Sequence, residues 1–121
     1  MNKIKILVVG CGNMGASHAK AYHDFSKFEI VGLVSRGNSK VELQKQLGVD
    51  YALFDDYEDA LLATNPDAVC ISTYPDTHED YAVKAFENGA HVFIEKPLAD
   101  TVIGAQRVID AANKAKKKLV V

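Results

Sequence analysis

Short β-branched runs alternate with longer stretches of helical period from one end of the chain to the other, and this alternation restricts the fold most. Residues 3–9 (KIKILVV), 28–35 (FEIVGLVS), 68–72 (AVCIS) and 91–94 (HVFI) are nearly continuous apolar runs. A shorter strand is expected over 50–54, and a sixth begins at 119–121. Between them lie segments with helix signals. Residues 13–25 place Met14, His18, Ala21, Tyr22 and Phe25 on one face. Ser39 with Glu42 reads as a capping box, and Gly48 closes that helix. Asp55 with Glu58 opens a short helix ending near Ala63, and Asn65-Pro66 forms a turn. Asp76 with Glu79 opens a helix that buries Ala82, Ala85 and Phe86 and closes at Asn88-Gly89. Asp100 or Thr101 begins a last helix to about Lys117, with Val102, Ala105, Ile109 and Ala112 inward. Strands apolar on both faces and separated by helices predict an α/β fold, a doubly wound parallel sheet in a three-layer α/β/α sandwich. Ligands of such folds lie at the carboxyl ends of the strands.

At the first of those ends stands Gly10-Cys11-Gly12-Asn13-Met14-Gly15. GxGxxG is informative here because it follows a strand and opens a helix within a βαβ unit. Gly10 suits the tight turn, Gly12 lets backbone approach a pyrophosphate, and Gly15 lets the helix pack closely on the strand. Free N–H groups and the helix dipole attract phosphate. The chain is therefore expected to be a Rossmann-fold domain binding a dinucleotide through Gly10, Gly12, Asn13, Met14 and Gly15. In NAD sites an acidic residue about 20 residues beyond the loop bonds the ribose 2′-OH. That position is Ser35, followed by Arg36, with no carboxylate. A hydroxyl and a guanidinium suit a 2′-phosphate, so NADP is the preferred cofactor, with NAD the other candidate.

Residues 71–99 read ISTYPDTHEDYAVKAFENGAHVFIEKPLA. With the glycine loop, Thr73 and His78 after the fourth strand, and Glu95-Lys96-Pro97 after the fifth, the sequence resembles the N-terminal domain of Gfo/Idh/MocA oxidoreductases. The likeness extends over essentially the whole chain. It implies NAD(P)-dependent hydride transfer at a hydroxyl or carbonyl carbon of a sugar or cyclitol. It assigns the catalytic position beside the nicotinamide ribose and substrate hydroxyl to Lys96, a lysine suited to hold ribose hydroxyls. Glu95 is expected to orient Lys96 or touch the nicotinamide ribose, and Pro97 to fix the turn through a bond that is often cis in the family. Ser72, Thr73, Tyr74 and His78 complete the expected cofactor contacts, His78 chiefly as a cap or support. The family commonly has Thr-Pro-Asn where this chain has Thr73-Tyr74-Pro75. The loop backbone can still pass beneath the nicotinamide.

Composition narrows the partners. Lys and Arg number 14 against 16 Asp and Glu, a net charge of −2, which argues against a nucleic-acid binder working by phosphate neutralisation. The Lys114, Lys116, Lys117 and Lys118 cluster falls at a helix C-terminus, where cations suit the dipole. No apolar run approaches the roughly 18 residues of a membrane helix. The first apolar stretch is too soon broken by Gly10 for a signal peptide, so a cytoplasmic location is expected. Cys11 and Cys70 form no CxxC pair and read as reduced thiols. Cys11 lies at a helix N-terminus, where a thiol can become more acidic. No grouping of histidines with carboxylates implies a metal.

At 121 residues the chain accommodates one domain, residues 1–121. The resemblance implies a second domain, absent from this chain, that supplies substrate contacts and a catalytic histidine. The expectation is a catalytically incomplete cofactor-binding fragment of an enzyme acting on a small polar substrate. The alternatives are a stand-alone NAD(P)-binding sensor or a non-catalytic partner-binding module. An exposed sixth-strand edge and an uncovered helix face would favour homo-oligomers.

Overall fold

The computed structural model describes residues 3–121. The elements run β1 (Ile4–Val9), α1 (Asn13–Asp24), β2 (Phe28–Val34), α2 (Ser39–Leu47), β3 (Leu53–Phe54) and α3 (Tyr57–Thr64). They continue with β4 (Ala68–Ile71), α4 (Pro75–Glu87), β5 (His91–Ile94), α5 (Val102–Ala115) and β6 (Leu119–Val120). All strand pairings are parallel, in the order β3-β2-β1-β4-β5-β6. The order reverses between β1 and β4, the switch point where such folds bind ligands.

Alternation along the strands divides the core into two layers. Leu7, Val9, Val69, Ile71, Val92 and Ile94 face one way, packed with residues of α3, α4 and α5. Ile6, Val8, Ile30, Leu33 and Cys70 face the other, with Ala19 of α1 and Leu43 of α2. Burial on both faces explains why these strands are apolar almost throughout.

On α4, Ala82, Ala85 and Phe86 are buried as expected, but α1 and α5 turn other residues inward than expected. On α1 the buried residues are Gly15 and Ala19, while Met14 is exposed and Phe25, just past the helix, lies half in solvent. On α5 they are Gly104, Val108 and Ala112, leaving Val102 87% exposed and Ile109 partly so. Small residues win because both helices lie close to their neighbours. A β-carbon at Gly104 would fall 2.5 Å from the Glu79 carboxylate of α4.

Three helix starts also shift. Asn38, not Ser39, is the N-cap of α2, and it makes no side-chain cap bond. Asp56, one residue beyond Asp55, caps α3 by accepting from the Asp59 N–H at 3.0 Å. Tyr74 is the N-cap of α4, with Pro75 as its first residue and Asp76 inside the first turn. Pro75 has no N–H, so this start carries one orphan donor fewer. The expected strand over 50–54 contracts to Leu53–Phe54. Thr101 caps α5 as anticipated, accepting from the Gly104 N–H at 2.9 Å.

Candidate dinucleotide site

The loops after β1, β2, β3 and β4 enclose a groove of about 470 Å³ at the carboxyl edge of the sheet. Its floor is the glycine loop. Gly10 adopts φ +94°, a left-handed conformation that strains any other residue. A β-carbon there would lie 2.5 Å from the Ser72 carbonyl oxygen. Gly15 is buried, and a β-carbon on it would collide with the Gly10 carbonyl. Gly12 differs: a β-carbon there would meet nothing within 4 Å and would project into open space.

Gly12 is also the N-cap of α1, and it supplies no capping side chain. The first turn holds no acidic residue. The first N–H groups of a helix have no intrahelical acceptor. Here Asn13 and Met14 begin the helix with the positive end of its dipole open. An open space above a side-chain-free glycine, beside unsatisfied donors, fits a pyrophosphate.

Ser35 and Arg36 line the groove at the end of β2. The Ser35 hydroxyl is engaged locally: it donates to the Gly37 carbonyl at 3.0 Å and accepts from the Lys40 N–H at 3.2 Å. Arg36 is exposed and forms no ion pair among the described residues. Lys40 is one of two buried polar residues among those described, at 8% exposure. Its ammonium donates to the Ser35 carbonyl at 2.9 Å and the Gly37 carbonyl at 2.7 Å, and pairs with Asp55 at 2.7 Å. Asp55 also lines the groove, and it is paired with Lys40. Sequence reasoning treated Asp55 only as a cap signal and passed over Lys40.

The loop after β4 closes the other wall. Ser72, Thr73 and Tyr74 line the groove, joined by Asp76, Thr77 and Tyr81 of α4. The Ser72 hydroxyl is buried and has no hydrogen-bond partner among the described residues. Thr73 and Thr77 hydroxyls lie 2.5 Å apart, and Thr77 donates to the Tyr74 carbonyl at 2.7 Å. Tyr74 is 81% exposed.

Glu95, Lys96 and Pro97 form the next loop, after β5, joined by a cis Lys96-Pro97 bond. Lys96 is exposed and makes no ion pair among the described residues. Glu95 pairs with His18 Nε2 at 2.8 Å, not with Lys96. His18 therefore does more than pack or lie at the surface, as its place on α1 had suggested.

His78 lies behind these loops and not among the residues that line the groove. It is 1% exposed, with Nδ1 2.7 Å from the Pro97 carbonyl and Nε2 3.0 Å from the Thr73 carbonyl. A ring so enclosed has no face left for a cofactor. It ties the loop after β4 to the loop after β5 from behind. The contacts of His78 with Pro97 and of His18 with Glu95 join residues 19 and 77 positions apart, and no local pattern announces them.

Cys11 and Cys70 are both buried free thiols, and Cys11 lies at the groove. Its thiol faces the Val34 carbonyl at 3.5 Å, and burial pushes its pKa up to about 11. Desolvation outweighs the opposing pull of the Lys40 charge and the Val34 carbonyl, so the thiol is a poor nucleophile. Burial likewise pushes Cys70 up to about 11. No group of histidine, cysteine and acidic residues able to hold a metal occurs among the described residues. None of the described helices is long and apolar enough to cross a membrane.

Known proteins are similar to this chain in sequence and fold. The inositol 2-dehydrogenase of Klebsiella pneumoniae is 32% identical over 120 residues, 97% of this chain and 35% of the relative. The WlbA dehydrogenase of Chromobacterium violaceum, in complex with NADH and UDP-GlcNAcA, superposes with a TM-score of 0.91 at 27% identity. It covers all of this chain, which matches 35% of it. The scyllo-inositol dehydrogenase of Lactobacillus casei, with bound NAD(H) and scyllo-inositol, gives 0.88 at 26% identity, over 98% of this chain and 35% of its own. The chain thus spans about a third of the length of these relatives. The model of an oxidoreductase family with an NAD-binding Rossmann fold matches residues 4–121. This chain belongs to that family, the Gfo/Idh/MocA oxidoreductases, as its NAD-binding Rossmann domain.

Proposed function

We propose that this chain is the cofactor-binding part of an NAD(P)-dependent oxidoreductase acting on a hydroxyl or carbonyl carbon of a sugar or cyclitol. Residues outside it would hold the substrate. The uncapped N-terminus of α1, opening above Gly12, carries this reading. When bound, the nicotinamide supplies or accepts the hydride. The chain's own residues bind and orient. Gly10, Gly12, Asn13, Met14 and Gly15 receive the pyrophosphate. The backbone of Ser72, Thr73 and Tyr74 forms the wall for the nicotinamide half. Lys96 is the catalytic residue, holding a ribose hydroxyl and the substrate hydroxyl. Glu95 and Pro97 set its position, and His78 supports both loops from behind.

NADP is the preferred cofactor. β2 ends without a carboxylate, Arg36 stands exposed on the groove, and Asp55 is neutralised by Lys40. Fluorescence titration of the chain with NADPH and NADH tests this. NADPH should bind at least about tenfold more tightly, as expected for one charge-assisted contact. Arg36→Ala should remove most of that margin and leave NADH unaffected. Equal affinities would refute the NADP preference. Failure of both nucleotides to bind would leave a partner-binding module as the better reading. In the intact enzyme, Lys96→Ala should lower turnover far more than cofactor affinity.

A further inference from the structure

We infer that His18 is a positioning residue: it holds the Glu95 carboxylate and thereby fixes the Lys96 loop relative to the phosphate-binding helix. The inference rests on the groove being a dinucleotide site. His18 lies three residues beyond Gly15, on the helix whose tip would receive the pyrophosphate. Glu95 immediately precedes Lys96 and follows β5, two strands away from β1 in the sheet. The two residues are 77 positions apart, yet His18 Nε2 and Glu95 Oε2 lie 2.8 Å from each other.

Both partners are restrained. The His18 ring stands edge-on to Phe93 of β5, with centroids 5.0 Å apart at 62°. The Glu95 N–H donates to the Ile71 carbonyl at 2.9 Å, so its backbone is fixed to β4. The side chains are 23% and 26% exposed, so the contact is only partly screened by solvent. A carboxylate next in sequence to Lys96 is its nearest competitor for the ammonium. With Glu95 held by His18, Lys96 keeps no internal partner among the described residues. The pair thus sets the spacing between the two ends of a dinucleotide site and leaves the lysine free for a ligand.

The test separates the two halves of the cofactor. ADP probes the half that α1 would hold, and NADH probes both. The chain is titrated with each, unaltered and as His18→Ala, His18→Gln, Glu95→Ala and the His18→Ala/Glu95→Ala double variant. His18→Ala should weaken NADH about fivefold, the upper range for a partly exposed pair, and leave ADP within twofold. His18→Gln, which keeps a donor, should recover most of the affinity and guards against a loss of fold in the alanine variant. The double variant should bind NADH no more weakly than Glu95→Ala alone. Equal weakening of ADP and NADH would make His18 merely structural to α1 and overturn the inference. So would additive losses in the double variant, or NADH affinity unchanged by His18→Ala. If the unaltered chain binds neither nucleotide, the dinucleotide reading itself fails and takes this one with it.

Discussion

The first turns of α1 and α5 face the same physical problem and solve it in opposite ways. Each begins with N–H groups that the helix cannot satisfy. At α5, Thr101 turns its hydroxyl back onto the Gly104 N–H. At α3, Asp56 does the same for Asp59. At α1 the corresponding residue is Gly12, which offers no side chain and leaves open space above it. At α3 and α5 a side chain of the protein closes the tip. A helix that leaves donors exposed at the switch point of a sheet is built to have them satisfied by something else. The comparison separates two kinds of residue within the glycine loop itself: Gly10 and Gly15 are demanded by the protein's own backbone, and Gly12 by what must approach it.

Gly15→Ala should produce the largest change. Its β-carbon meets the Gly10 carbonyl, backbone that cannot step aside, so a loss of about 3 kcal/mol or more is expected. Thermal unfolding would record it, and nucleotide binding should fall with it. Gly12→Val should separate the two properties. The melting temperature should hold nearly constant, while lost charge-assisted bonds weaken ADP by about 1.5–3 kcal/mol, tenfold to more than a hundredfold. A destabilised Gly12→Val would break the distinction between the glycines.

Alkaline titration sharpens the comparison at Cys11, beside the same tip. Both thiols rise from 9.0 to about 11 on folding, so the unfolded chain loses its protons first. Stability contributed by the neutral thiols is complete below pH 9 and is lost as pH climbs toward 11, at about 1 kcal/mol per thiol by pH 10. Melting curves from pH 8 to 10.5 should decline accordingly, and iodoacetamide should label native Cys11 slowly at pH 8. Rapid labelling would mean that the helix field outweighs burial. The smallest effect belongs to Thr101→Ala, about 1 kcal/mol of stability with NADH affinity unchanged.

The sequence exposes what is local and conceals what is not. Continuous apolar strands and the 10–15 loop are readable because period and glycine spacing are properties of short windows. Cap positions slip by one residue, as at Asn38 and Asp56, because several polar residues compete at each start and backbone geometry chooses among them. The inward face of α5 departs from its hydrophobic pattern for a related reason. Val102 and Ile109 have the hydrophobicity, but close approach to α4 selects the side with Gly104. His18 with Glu95, His78 with Pro97 and Lys40 with Asp55 join residues that periodicity cannot connect.

The buried ammonium of Lys40 has a consequence for how tightly this end of the groove can engage a ligand. Its three bonds freeze the turn between β2 and α2 in advance. A turn that is already ordered loses little conformational freedom when a nucleotide arrives, so more of each contact's energy is expressed as affinity. The cost of ordering that segment has been met during folding, by a side chain that need never touch the ligand.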